Sequence, residues 1–176
     1  ITAKCGRPGV CNAIENLIVH REIASAFLPE TLEALAESNC EVRADAEARS
    51  ILNDARPSLT VGEATEEDFH TEFLDLILSI KIVDSLEDAI DVVNHYGSGH
   101  SDAIVTTDEL TAERFLAAID TSTVYWNAST RFTDGFEFGL GSEIGISTDR
   151  LHARGPMGLR ELCTYKYQVR GNGQTK

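Results

Sequence analysis

The residues with the most chemical promise lie in Arg7-Pro8-Gly9-Val10-Cys11-Asn12-Ala13. Pro8 and Gly9 predict a tight turn just before a short helix over Val10 to Leu17. A thiol there meets the positive end of a helix dipole, which favours the thiolate. A thiolate can attack a carbonyl carbon and hold the acyl group as a thioester. Local sequence alone favours the plainer reading, an inert buried cysteine that fills space. Cys5, Cys40 and Cys163 lack this setting and read as structural or incidental. A Cys–His hydrolase needs a general base, and the histidines at 20, 70, 95, 100 and 152 are not distinguished from one another by sequence.

A second candidate is Asn127-Ala128-Ser129-Thr130-Arg131-Phe132, directly after a strand-like segment. Two hydroxyls and a guanidinium at a strand end suit an anion, because Arg can grip a carboxylate with two parallel bonds. A loop that satisfies its own backbone is the alternative. The stretch Phe138-Gly139-Leu140-Gly141-Ser142-Glu143-Ile144-Gly145 fails as a dinucleotide fingerprint, since position 144 is Ile where the third glycine is needed. There is no Walker A motif and no G-x-S-x-G elbow, so no cofactor-phosphate cradle is expected. No C-x-x-C pair occurs, and His95 and His100 are not at helical spacing, so no metal is expected.

The elements that must position these groups alternate between strand and helix. Leu17-Ile18-Val19 reads as the start of a strand, Pro29 to Ser38 as a helix closed by Asn39, and Glu41 to Ala44 as a weak strand. Asp45 caps a short helix running to Leu52. Residues 53–68 read mainly as loop, and the later part of Leu74 to Val83 as a buried strand. Ser85 caps a helix with the stripe Leu86, Ala89, Ile90 and Val93, ended by Gly97 and Gly99. Ala103 to Thr106 reads as a strand. The next helix starts at Thr107 or Asp108, and Thr123 to Trp126 is a further strand. This rhythm predicts an α/β fold with a parallel sheet and crossover helices. Cys163 to Arg170 alternates apolar and polar groups, as in an exposed strand that pairs with another chain.

Of 176 residues, 42% are apolar and 25% charged, as in a soluble globular protein. The net charge is -14, and only residues 151–176 reverse its sign, with five basic groups against one acid. An acidic body argues against nucleic acid and anionic membrane as partners. No apolar run is long enough to span a bilayer, and the first residues lack the apolar core of a signal peptide. Four cysteines without a sign of secretion fit free thiols in the cytoplasm. Without an initiator Met, the sequence reads as a processed product, a cut piece or a partial record.

Five motifs in order carry a resemblance that covers essentially the whole chain. They are Arg7 to Ala13, Tyr96-Gly97-Ser98-Gly99-His100-Ser101, Asn127 to Phe132, Glu137 to Gly145, and His152-Ala153-Arg154-Gly155-Pro156. Together they resemble the γ-glutamyl phosphate reductases, or glutamate-5-semialdehyde dehydrogenases, of the aldehyde dehydrogenase superfamily. The resemblance implies a catalytic domain over 1–158 with helices on both faces of a parallel sheet. It implies a helix turn and oligomerisation strand over 159–176, and a nucleotide-binding domain that would precede residue 1.

It further implies Cys11 as nucleophile and Glu72 as a contact to the nicotinamide-side ribose, although Thr71-Glu72-Phe73-Leu74-Asp75 departs from the usual Glu-x-Phe-Gly-Pro form. It places Asn127, Ser129, Thr130 and Arg131 on the substrate. The implied reaction is NADPH-dependent reduction of L-glutamyl 5-phosphate to L-glutamate 5-semialdehyde with release of phosphate, in proline biosynthesis. NADP(H) would be bound mainly by the absent domain, so this chain alone is expected to be inactive. A homo-oligomer is expected through the tail strand. Two alternatives remain: an aldehyde dehydrogenase that hydrolyses its thioester, and a non-catalytic domain that binds substrate or self-associates.

Overall fold

The computed structural model describes residues 1–176. The first half contains β1 (Asn16–His20), α1 (Arg21–Glu37), β2 (Glu41–Ala44), α2 (Ala46–Ala55), β3 (Gly62–Glu63), α3 (Glu66–His70) and β4 (Ile77–Val83). The second half contains α4 (Leu86–Tyr96), β5 (Ser101–Ile104), α5 (Glu109–Ala118), β6 (Thr123–Trp126), a 3-10 turn (Thr130–Phe132), β7 (Gly145–Ser147) and β8 (Gly155–Met157).

Four strands form a parallel sheet in the order β1-β4-β2-β3. A parallel strand buried on both faces favours apolar groups throughout, and β4 (ILSIKIV) is apolar at every position but Ser79 and Lys81. Leu78, Ile80 and Ile82 point to one face. They join Val19, Val42 and Ala44 against Ala24, Leu28, Leu32 and Leu35 of α1 and Ala48 and Leu52 of α2. On the other face Ser79 Oγ donates to the Asp68 carbonyl at 3.4 Å, and Lys81 Nζ lies 4.8 Å from the centre of the Phe69 ring. Helices therefore cover both faces, as expected of the α/β class. β5 and β6 pair in parallel around α5, and β7 and β8 form an antiparallel pair.

Caps behave as the side chains dictate. Asp45 accepts from Ala48 N–H at 2.8 Å through Oδ1 and from Ile82 N–H at 2.8 Å through Oδ2, so one carboxylate starts α2 and pins it to the central strand. Ser85 and Asp108 cap α4 and α5.

Three expectations need correction. The helix over Val10 to Leu17 does not form: residues 8–13 are turns and β1 starts at Asn16. The helix expected from Pro29 begins at Arg21 and carries Pro29 inside it. Residues 53–68 are not only loop, because β3 and the start of α3 lie there. Residues 164–170 are exposed and make no ladder within the chain. No helix is long and apolar enough to cross a membrane.

Candidate active site

Cys11 is exposed on a turn, and its setting comes from its neighbour. Asn12 is buried and reaches residues some 120 positions downstream. Its Nδ2 donates to the Thr133 carbonyl at 2.9 Å and the Arg131 carbonyl at 3.3 Å. Thr130 Oγ1 donates to the Asn12 carbonyl at 2.7 Å, and the Arg131 guanidinium donates to Asn12 Oδ1. This clamp fixes the Cys11 turn against the segment after β6. Beneath it, Lys4 is fully buried and its Nζ donates to Glu15 Oε2 at 2.6 Å. Glu15 Oε1 in turn accepts from Leu74 N–H at 3.4 Å, which ties the turn to the segment holding Glu72.

The structure thus brings Cys11, Glu72 and Arg131 into one region. Glu72 is exposed on the approach to β4, where Leu74 adopts φ 55°. Such a backbone is costly for a bulky residue and marks this segment as held in place by its surroundings. The other proposed substrate contacts are largely occupied. Asn127, at φ 53°, accepts from Thr106 N–H at 2.9 Å and donates to the Thr106 carbonyl at 2.8 Å, so its amide braces the ends of β5 and β6. Ser129 Oγ accepts from Arg131 N–H at 3.2 Å, starting the 3-10 turn. Thr130 is buried in the clamp. Arg131, half-buried, retains further N–H groups on its fork for an anion.

The electrostatics differ from the sequence expectation. No helix dipole acts on Cys11. Burial pushes its thiol above the ordinary value, and the charges of Glu143 and Glu72 push it the same way. The backbone N–H groups of Cys11 and Asn12 pull in the opposite direction without prevailing. The setting therefore favours the protonated thiol over the thiolate, first through burial and then through the two acids. Cys40 is buried and pushed up to about 12, mainly by that burial, consistent with an inert role.

Two residues of this region were not singled out by sequence. Glu143 accepts from Gly135 N–H at 3.0 Å and bears on Cys11. His100 is buried, and neither ring nitrogen has a partner. A buried histidine leaves no periodic signature, so only the tertiary structure distinguishes it from the other four. Elsewhere, Glu66, His70 and His95 bring one ligand-type atom each within 4.8 Å of one another. All three are exposed. The two rings pack edge-on with Tyr96, whose hydroxyl donates to Glu66, an arrangement that needs no ion.

Comparison with known proteins fits this layout. The pattern described as "Aldehyde dehydrogenase family" matches residues 59–165. A γ-glutamyl phosphate reductase of Opitutus terrae is 58% identical over 177 residues, covering all of this chain and 41% of that protein. The crystal structure of γ-glutamyl phosphate reductase from Thermotoga maritima superposes with a TM-score of 0.93 at 50% identity, over 100% of this chain and 41% of that one. The Saccharomyces cerevisiae enzyme of the same name gives 0.56 at 32% identity, over 93% and 35%. This chain spans about two fifths of the length of the curated relatives it matches. On the match over residues 59–165, it belongs to the aldehyde dehydrogenase family.

Proposed function

We propose that this chain carries the nucleophile of a γ-glutamyl phosphate reductase, which reduces L-glutamyl 5-phosphate to L-glutamate 5-semialdehyde with release of phosphate, in proline biosynthesis in the cytoplasm. The observation that carries the reading is the clamp: Cys11 is exposed, and Asn12 beside it is bonded to the segment holding Arg131. The names of relatives at 54–58% identity over the whole chain support the same reaction.

In the proposed chemistry the Cys11 thiolate attacks the acyl carbon of the substrate. The C–O bond to phosphate breaks, phosphate leaves with the electron pair, and a thioester remains on Cys11. The guanidinium of Arg131 holds a carboxylate or phosphate of the substrate. The backbone N–H of Cys11, beside its own sulfur, is placed to donate to the oxyanion; one such donor lowers a barrier by roughly 3–4 kcal/mol. Glu72 fits a nicotinamide cofactor in its chemistry, since an exposed carboxylate near the nucleophile accepts from ribose hydroxyls. NADPH, when bound, supplies the hydride that reduces the thioester. Collapse of the resulting oxyanion returns the Cys11 thiolate and frees the semialdehyde.

In this reading residues 1–158 form the catalytic domain and 159–176 the turn and strand through which copies associate. The bulk of NADP(H) is held by a nucleotide-binding domain outside these residues, and the chain alone does not turn over.

The test is acylation of the chain by glutamyl phosphate. One glutamyl group should appear on the peptide carrying Cys11, with one phosphate released, and Cys11→Ala should abolish both. Phosphate release that persists unchanged in Cys11→Ala, with no adduct on the wild-type peptide, refutes the assignment.

A further inference from the structure

Away from Cys11, the helices α3 and α4 bring one carboxylate and two imidazoles together. Glu66 and His70 stand at positions i and i+4 of α3, so they share one face of that helix. His95 comes from the last turn of α4. One ligand-type atom from each residue lies within 4.8 Å of the other two, and His95 Nε2 is 4.0 Å from Glu66 Oε1. The two histidines are far apart in sequence, so no local spacing reveals the group.

Aromatic packing gathers these side chains before any ion arrives. The Tyr96 ring stands edge-on to both imidazoles, with its centre 4.7 Å from that of His70 and 4.6 Å from that of His95. The two imidazole centres are 5.2 Å apart. The Tyr96 hydroxyl donates to Glu66 Oε1 at 2.7 Å. That bond uses one carboxylate oxygen and leaves the other for an ion. A partner of this kind, outside the ligands themselves, orients a metal-binding side chain.

Two imidazoles and a carboxylate are the donor set of a borderline divalent ion such as zinc, with a fourth position left to water. Bonds of about 2.0–2.2 Å in a tetrahedron set neighbouring donors roughly 3.3–3.6 Å apart. The three donors therefore need to close by at most about 1.5 Å. All three residues are exposed, so their side chains can turn without disturbing the core. Glu67 adds negative charge in the first turn of α3. The Lys81 ammonium opposes it, 5.9 Å from the centre of the Tyr96 ring and 4.8 Å from that of Phe69.

We propose that Glu66, His70 and His95 form a binding site for a divalent transition-metal ion, zinc being the best match, which ties α3 to α4. The ion accepts an electron pair from each ligand, and any proton on those atoms passes to water. No oxidation or reduction is involved. With five residues, α3 is too short to be stable by itself, and it ends just before Glu72. An ion held across it and α4 therefore stiffens the approach to that residue. The site does not depend on Cys11 being the nucleophile.

The experiment is a zinc titration by isothermal calorimetry, on the chain after alkylation with iodoacetamide so that the exposed Cys11 and Cys163 do not compete. One ion per chain should bind in the micromolar range. His70→Gln and His95→Gln should each weaken binding at least about tenfold, and His152→Gln should leave it unchanged. No saturable binding overturns the proposal. So does binding that either His70→Gln or His95→Gln leaves intact, or an equal loss in His152→Gln. Should a variant not fold, the imidazole NMR signals of the unsubstituted chain decide the matter. Zinc should shift those of His70 and His95 and leave those of His152 in place; the reverse pattern refutes the site.

Discussion

Replacing Lys4 with Met probes the foundation of the Cys11 turn. The Lys4 side chain is 1% exposed and that of its partner Glu15 is 14% exposed. Met keeps the length and apolar stem of Lys4 but removes the charge. Removing one member of a buried ion pair leaves the other uncompensated, at about 3–5 kcal/mol. Glu15 retains Leu74 N–H and some exposure, which places the expected loss near the lower end, about 3 kcal/mol. For a chain of this size that corresponds to a fall in Tm of roughly 6–12 °C.

The loss should also depend on pH. Burial raises Glu15 above the usual carboxylate range against the pull of Lys4. The folded chain therefore holds the Glu15 proton to higher pH than the unfolded chain. Stability from this group is present below the unfolded glutamate value and declines as pH rises through the folded one. Without Lys4 the folded value rises further, so the deficit of Lys4→Met should shrink as pH falls through that window. Thermal melts followed by circular dichroism at several pH values, with urea midpoints at neutral pH, measure both effects. A loss below about 1 kcal/mol, or a deficit that does not change with pH, refutes the view that this pair anchors the turn. Lys4→Met combined with Glu15→Met should recover part of the loss, because no charge is then left buried.

Other perturbations test the clamp and the caps. Asn12→Ala should cost about 1–3 kcal/mol by leaving buried groups unpaired. Amide hydrogen exchange should then accelerate in both residues 10–13 and 130–133; acceleration in only one segment contradicts a shared clamp. Asp45→Ala should cost about 1–2 kcal/mol. It should exceed Ser85→Ala, since Asp45 bonds Ile82 N–H as well as capping α2; equal shifts in denaturant midpoint would remove that distinction.

What could be read from the sequence follows the range of the forces involved. The caps Asp45 and Ser85 act within three residues, and both lie where composition places them. β6 was readable as a short β-branched and aromatic run before a polar loop. The turn at Cys11 differs from the helix that its local sequence predicts because what shapes it is not local: Asn12 is drawn into bonds with Thr130, Arg131 and Thr133. The same non-locality hid Lys4 with Glu15, and the burial of His100. Pro29 argued for a helix start, yet α1 continues through it, because the buried row Ala24, Leu28, Leu32 and Leu35 packs the helix on the sheet on both sides of that residue. Asn127 illustrates the opposite error. A polar residue in a promising loop proved to be bonded to the neighbouring backbone.

The clamp has a consequence for the order in which the molecule becomes competent. The sulfur leaves the ribosome more than a hundred residues before the carbonyls that hold its neighbour are made. Closing so long a loop is slow and must follow synthesis of the intervening sheet. A nascent or truncated chain that stops before position 127 therefore carries its thiol with no finished setting, and that thiol stays open to stray oxidation until residues 130–133 arrive.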